Sequence, residues 1–565
     1  MGSMSMEGRA PSDILPRRPW SGPAGVTLPV LGDAVHWWHG PRFSIGWKGH
    51  LFLAGHGGGP ESVVALAALL EQHGLDEVAP RIHGVFGLFV HDAERAVWQA
   101  MTDNGGLYKL FYDDARVAMS FLELSRARGA SRTELSPPAL IEYLAFGQLL
   151  GEPTFLSTVR KLRGDEIAEI GPAPDDRVRI RRKRIDASAG GDLDTVLGHM
   201  RDLAASLAGR RVSVDGTGGF DSRLLLCLMD WFGAEFEIAT SGQPGNLDTE
   251  IPREIARILE HPFHLSGHDL DRLEDDLPVV FRAGDGLTDL RRFHRDLQLA
   301  EERLRRGVDL IVHGGGGELF RDHYIIQDFP RYGSPVTNFD RWYDLRMMPV
   351  RLPAAWLGRS GAAALGELRP RTLARLESYH SATNNESYNR AYYFLRAPKH
   401  FGQHHANYIN MGLDVAAPLL DHGVVRAALA LPPWQQFFHR WHRQVITRHH
   451  PAVAALRTAD GFSASAKPAL MLRDLTSFGA LQVRRVARKV SQRLFGKGRF
   501  YVAGAFAADA PGFIAALRTT RHFATAVDRL KAVDVLAPDL ALGQIADIHV
   551  GRMLTAGMFV DSLPG

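Results

Sequence analysis

The chain has 565 residues, 45% hydrophobic and 23% charged, the composition of a soluble globular protein with room for two or three domains. A formal net charge of +3 lacks the basic excess that nucleic-acid binding uses, so no nucleic-acid partner is expected. The one cysteine, Cys227, excludes an intrachain disulfide and a multi-cysteine zinc site, and it suits a reducing, cytoplasmic setting.

The opening MGSMSMEGRAPSD has no apolar core of a signal peptide and looks like a cloning scar, so residues 1–25 are set apart from the fold. No apolar run is long enough to span a bilayer, and no membrane partner is expected. Residues 42–150 read mostly as strands. RFSIGWKGHLFLAGH and HGVFGLFVHDAERAVWQAMTDNGGLYKLFYDD alternate in polarity and are broken by turn residues such as Asn104-Gly105-Gly106. Between them, ESVVALAALLEQHG (61–74) has helical apolar spacing and stops at Gly74. A strand-rich αβ domain over 26–185 follows. DASAGGD (186–192), small and polar after the basic strand-like RVRIRRKRI, reads as an interdomain linker.

Beyond it the period changes. A helix over about 193–208 carries Val196, Leu197, Met200, Leu203, Ala204 and Leu207 on one face. The short strand Arg211–Val214, a Gly-rich turn and the helix SRLLLCLMDWF come next, with further strands at FEIAT (236–240) and VDLIVHG (308–314). Strand–helix alternation predicts a doubly wound parallel sheet in a second domain, 193–565, whose remainder reads mainly as helix.

The Gly-rich turn lies in VSVDGTGGFDSRLLL (212–226), where a strand enters Thr217-Gly218-Gly219-Phe220-Asp221-Ser222 and then a helix. Glycines let backbone approach an anion, and a helix N-terminus offers unpaired N–H groups and a favourable dipole. Thr217 and Ser222 add hydroxyl donors. The Asp221 charge repels phosphate, so its role is to hold a Mg²⁺ that bridges phosphates. The Gly-Lys-Ser/Thr ending of a Walker loop is absent. Taken alone, the segment is also an N-capped helix after a tight turn; the flanking elements favour the binding reading.

Thr217–Ser222 resembles the Ser-Gly-Gly-x-Asp-Ser loop of the N-type ATP pyrophosphatases, with Thr for the first Ser. HGGGGELF (313–320) resembles the second Gly-rich loop of the asparagine synthetase family, GLDVAAPLLD (412–421) resembles its Gly-Val-Glu-Ala-Arg-Val-Pro-Phe-Leu-Asp segment, and Asn246-Leu247-Asp248 sits where that family has a Leu-Asp. In the first domain, GVFGLFVHDAERAVWQAMTDNGGLYKLFY and GEPTFLSTVRKLRGDEIAEI (151–170) look like parts of the family's glutaminase domain. The resemblance covers most of residues 40–465. It implies an N-terminal Ntn-hydrolase-like domain and a C-terminal ATP pyrophosphatase domain. It further implies ATP and Mg²⁺ as cofactors, with Thr217, Gly218, Gly219, Asp221, Ser222, Gly315 and Gly316 at the nucleotide, Asp221 and Glu318 at the metal, and Asp221, Arg443 and Lys467 in catalysis, the last two (with Arg440) as cations on the pyrophosphate side.

The chain departs from that pattern in three places. The family's glutaminase uses an N-terminal cysteine nucleophile, whereas Cys227 sits in an apolar helix as a core thiol, so an amine already on the substrate is the expected nucleophile. The family's acid/base and second metal-binding Asp positions are Gly314 and Gly317, and its Arg in the later segment is Ala416. The resemblance then shifts toward β-lactam synthetases and lasso-peptide macrolactam synthetases. Peptide macrolactam closure is favoured, because a small-ring former is expected to match more closely at the acid/base position; it implies a precursor peptide and a leader-binding or protease partner. A small-molecule ligase, a non-catalytic nucleotide- or partner-binding relative and an ammonia-using synthetase are the alternatives.

Two weaker signals remain. In His404-His405 and His449-His450, neighbours on a helix point about 100° apart and rarely chelate one ion, and His439 and His442 share a face without a carboxylate spaced to complete a site. VRRVARKVSQRLFGKGR (483–499) reads as a surface helix with a solvated basic face, with docking of an acidic peptide, a partner protein or a membrane surface as the sharper reading.

Overall fold

The computed structural model describes residues 30–31, 36–171, 173, 177–185, 191–321, 333–348, 350–459, 461–494 and 512–564. The opening segment 1–25, most of the linker 186–192, and the basic stretch beyond its helical start lie outside the described residues or side chains.

The first region is built on a six-stranded antiparallel sheet of β1 (His36–His39), β2 (Phe43–Leu53), β3 (Ile82–Asp92), β4 (Val97–Thr102), β5 (Glu166–Ile170) and β6 (Arg179–Arg182), in the order β6-β5-β4-β3-β2-β1. Helix α1 (Pro60–Gln72) follows the predicted helix closely. The period of two sorts the side chains. Phe43, Ile45, Trp47, Leu51 and Leu53 of β2 and Ile82, Phe86, Leu88 and Val90 of β3 pack with Val63, Leu66 and Leu70 of α1. The opposite face, with Phe52, Val85 and Phe89, joins a larger core that runs on through the rest of the chain. Both faces are therefore covered.

The second region holds a five-stranded, wholly parallel sheet: β7 (Val212–Asp215), β8 (Phe236–Ser241), β9 (Phe263–Ser266), β10 (Leu310–Val312) and β11 (Asp414–Ala416), in the order β9-β8-β7-β10-β11. Around it lie α2 (Leu193–Ser206), α3 (Phe220–Trp231), α4 (Leu247–Leu259), α5 (Leu290–Arg305), α6 (Ala397–Asn410), α7 (Arg440–His449), α8 (Pro468–Leu494) and the final helix α9 (Asp547–Ser562). The doubly wound expectation holds as a mixed α/β fold with this parallel sheet. Two strands were not foreseen: β9, and β11, which falls inside the segment read only as a motif. The chain runs outward through β7, β8 and β9 and then returns to place β10 on the other side of β7. That reversal opens a crevice at the carboxyl ends of β7 and β10, where ligands bind in such sheets.

The two regions are joined by buried polar contacts as well as by the shared core. The His50 ring nitrogen Nε2 pairs with Ser206 Oγ at 3.1 Å, and Lys48 donates to Asn410 Oδ1 at 3.0 Å. From α9, Arg552 donates to the carbonyls of Leu144 and Ala145 in the first region. Cys227 is fully buried, and burial pushes its thiol up to about 12, so it is the core thiol expected. Among the described residues no helix is long and apolar enough to cross a membrane.

Burial, with the nearby charge of Arg210, pushes His50 down to about 3. The folded state keeps this ring neutral while the unfolded chain takes up a proton below its ordinary value of about 6.5. Stability is therefore lost as pH falls from about 6.5 toward 3, at roughly 1.4 kcal/mol per pH unit. His50→Gln, which can still bond Ser206, is expected to make the change between about pH 6.5 and 5.5 shallower by about 1 kcal/mol in urea denaturation.

Candidate functional site

Val212 and Val214 are buried and anchor β7, and the chain leaves it at Asp215 into the loop that starts α3. The residue before α3 is Gly219, and no side chain caps the helix. Its first-turn N–H groups face the crevice with the positive end of the helix dipole, the arrangement that takes an anion. Thr217 Oγ1 and Ser222 Oγ lie 2.7 Å apart, and Ser222 Oγ donates to the Thr217 carbonyl at 3.1 Å, which closes the turn. Gly218 N donates to Asp248 Oδ1 at 3.2 Å. A Cβ at Gly218 would stand 2.8 Å from that oxygen, so a larger residue there would displace the Asp248 carboxylate.

The second Gly-rich loop leaves β10 and is pressed onto the first. Gly316 has φ of 100°, and a Cβ there would lie 2.8 Å from the Leu419 carbonyl. Gly317 packs on Asp221: a Cβ at this position would be 2.5 Å from the carboxyl carbon. Glycine at 317, where the resemblance has an aspartate, thus leaves room for the Asp221 carboxylate itself.

Asp221 lies between an arginine and a histidine from two other segments. Arg321 Nη2 is 2.9 Å from Oδ2, and His442 Nε2 is 3.1 Å from Oδ1. Burial opposes its charge, but these two partners outweigh burial and hold the carboxyl well below the usual range. Two consecutive residues with left-handed φ, Phe438 at 53° and His439 at 58°, lead into α7 and so aim His442. Glu318 accepts hydrogen bonds from the Gly316 N–H at 3.0 Å and from the Tyr392 hydroxyl. Burial first, and then the Asp221 charge, raise its pKa.

Polar groups also line the floor of the crevice. Asp215 is paired with Arg303, which is fully buried and donates to Ser213 Oγ at 3.0 Å. His404 Nδ1 is 2.9 Å from Asp296 Oδ2, and His313 Nδ1 is 3.3 Å from His405 Nε2. Burial, then neighbouring His404, pushes His313 down to about 4. The resulting cleft has a volume of about 470 Å³.

Of the residues singled out in the sequence, Thr217, Asp221, Ser222, Gly315 and Glu318 line the cleft. Gly218, Gly219 and Gly316 are the backbone of its two loops. Arg443 and Lys467 are placed differently from expectation. Arg443 is buried, with its guanidinium committed to the carbonyls of Phe438 and Ser465, to Asp474 Oδ2 at 3.1 Å and to the ring of Phe438. Lys467 is exposed at the start of α8 and does not line the cleft. The basic side chains beside Asp221 are Arg321 and His442 instead. His442 carried a weak signal, its helical spacing from His439, and His404 one as half of an adjacent pair; Asp215, Arg303 and Asp296 carried none.

Arg443→Met is expected to cost about 2 kcal/mol in urea denaturation, because it removes the buried ion-pair partner of Asp474 Oδ2 and leaves that carboxylate with Arg473 and Ser463 alone among the described residues. Lys467→Ala should change stability by no more than about 0.5 kcal/mol.

Residues 207–483 match the family model described as asparagine synthase. No curated protein matches the chain. The matched segment contains the five parallel strands, both Gly-rich loops and α3 through α7. Residues 207–483 are thus an asparagine synthase-family domain, which fits ATP-dependent amide ligation in general.

Proposed function

We propose that the cleft binds ATP and uses it to activate a substrate carboxylate as an acyl-adenylate, which an amine then captures as an amide. Pyrophosphate leaves in the first step and AMP in the second. The observation that carries this reading is the uncapped start of α3 opening onto the switch-point crevice beside Asp221. Its N–H groups and the Thr217 and Ser222 hydroxyls suit the oxygens of a polyphosphate. Gly315 and Gly316 bring the second loop's backbone close on the other side. Arg321, rather than Arg443 or Lys467, is the cation we assign to offset charge on departing pyrophosphate, with the His442 ring beside it.

The donors present fit Mg²⁺. Asp221 Oδ1 is buried and makes no aligned hydrogen bond, and the neighbouring Glu318 has its pKa raised partly by the Asp221 charge, a strain that a hard divalent cation relieves. Asp221 and Glu318 would hold the ion, which would neutralise phosphate charge. With glycine at 314, His404 is the base we assign to the incoming amine's proton: its imidazole is oriented by Asp296, as a general base requires.

The only thiol, Cys227, is buried and inert, which supports an amine carried by the substrate over ammonia from glutamine. Within this class we favour macrolactam closure of a precursor peptide, in the cytoplasm and with a leader-binding or protease partner. The Asp221–Arg321 pairing together with glycine at 314 and 317 favours a second reading, nucleotide binding without chemistry.

Calorimetry with ATP and Mg²⁺, followed by AMP release in the presence of linear peptides, separates the two. The wild type is expected to bind ATP only with Mg²⁺ and to release AMP with a peptide that bears both a carboxylate and an amine. Asp221→Ala should reduce AMP release by at least about 100-fold in protein that circular dichroism shows to be folded. A folded Asp221→Ala variant with wild-type turnover would falsify the assignment, and binding without AMP release from any substrate would favour the second reading.

A further inference from the structure

The side of β3 that faces away from α1 carries His83, which meets two residues from distant segments. His199 comes from α2, and Asp421 ends the GLDVAAPLLD segment and caps the following helix through the Gly423 N–H at 3.0 Å. His83 Nδ1 is 3.2 and 3.1 Å from the two Asp421 oxygens, and His199 Nδ1 is 3.9 Å from Oδ1. One ligand atom from each of the three lies within 4.8 Å of the other two.

We propose that His83, His199 and Asp421 form a binding site for a transition-metal divalent cation, Zn²⁺ in particular, that staples the first region's sheet to the asparagine synthase domain. The site is separate from the cleft and does not depend on the function proposed for it.

Three features support the assignment. A tetrahedral ion with bonds of roughly 2.0–2.1 Å keeps its ligand atoms about 3.4 Å apart; His83 and His199 stand 3.1 and 3.9 Å from the two Asp421 oxygens, and all three ligand atoms lie within 4.8 Å of one another, so a modest inward movement seats the ion. Two imidazoles and one carboxylate suit zinc and its neighbours; magnesium and calcium take oxygen donors. The ligands are held from behind, Asp421 by its capping bond and both rings by Phe52, whose centroid lies 5.4 Å from that of His83 and 5.6 Å from that of His199. His199 and Asp421 side chains are 7% and 8% exposed while His83 is 23% exposed, which leaves access for the ion and room for a water as fourth ligand.

Charge favours this site over the other convergent group, Asp215, His313 and His404 on the cleft floor. There Arg303 already neutralises Asp215, and Asp296 holds His404. Among the described residues the ion pairs of Asp421 are with histidines alone, and Asp202 adds a second negative charge that acts on both rings.

The test is calorimetric titration of the chelator-stripped full chain with Zn²⁺, paired with the visible spectrum of the Co²⁺ form. One equivalent should bind, Co²⁺ should show the intense absorption of a tetrahedral site, and Zn²⁺ should raise the melting temperature. His199→Gln and Asp421→Asn should each weaken Zn²⁺ binding by at least about tenfold. Asn still caps a helix, so Asp421→Asn removes the charged ligand while retaining the cap. His404→Gln should bind as the wild type does. Absence of Zn²⁺ binding, a weak octahedral Co²⁺ spectrum, wild-type affinity in both ligand variants, or loss of binding in His404→Gln would each overturn the proposal. If a ligand variant does not fold, the wild-type Co²⁺ spectrum and the His404→Gln control decide.

Discussion

A carboxylate drawn partly out of water must be matched by polar or positive partners, and Asp221 is the half-buried carboxylate around which the cleft is assembled. Its two partners arrive from separate segments, Arg321 just past the second Gly-rich loop and His442 from α7. The carboxylate therefore does more than face a ligand. It ties the start of α3, the end of the second loop and α7 together at the crevice mouth, and Gly317 is the residue that lets the loop come close enough. Removing one member of such a cluster leaves the others under-compensated in a low-dielectric setting. The loop contacts have the same logic. Gly316 beside the Leu419 carbonyl and Gly317 beside the Asp221 Cβ and carboxyl carbon are approaches closer than a Cβ allows, so the shape of the cleft is set partly by where side chains are missing.

Strands β2, β3, β7, β8 and β10, the helix that follows the first Gly-rich turn and the loop residues Thr217–Ser222 were legible in the sequence, because each is encoded by local spacing. Apolar alternation marked β2 and β3, and helical periodicity marked α1 and α2 to within a few residues. What was not legible is what depends on meeting across the sheet. β11 is three residues long, too short for a period to register, and it is recognisable only once β10 offers it a partner. Arg321 stands at the edge of a motif and looks like any surface arginine. His442 was visible as one of a helical pair, but the carboxylate it meets lies over 200 positions earlier. Arg443 illustrates the converse. It has the residue type and the neighbourhood expected of a pyrophosphate-binding cation, and burial against Asp474 and Phe438 uses its charge for packing.

Histidine shows the same limit sharply. Adjacent pairs along the chain were not read as chelating, and each of the two convergent groups among the described residues takes at most one histidine from such a pair. The groups that do converge take single histidines from different elements, His83 from a strand and His199 from a helix in one case, His313 from a strand end and His404 from a helix in the other. Spacing along one element cannot reveal a site whose ligands are supplied one per element.

That convergence bears on the first region. It carries no cysteine at all, yet its sheet has no solvent face to spare. The odd-numbered face of β2 is satisfied locally by α1, whereas Phe52, Val85 and Phe89 lie on the other face and are buried only because the rest of the chain covers them. Separating the regions would expose those side chains at roughly 1.5–3 kcal/mol for each one fully uncovered, and would leave His50, Lys48 and the carbonyls that bond Arg552 without their partners. A boundary near residue 190 is therefore a boundary of sheets rather than of cores. The first region's physical contribution is the wall against which the segment ending at Asp421 is packed, and Leu419 in that segment supplies the carbonyl that crowds Gly316 in the second loop. The first region thus reaches the cleft through a continuous chain of contacts without placing a side chain of its own in it.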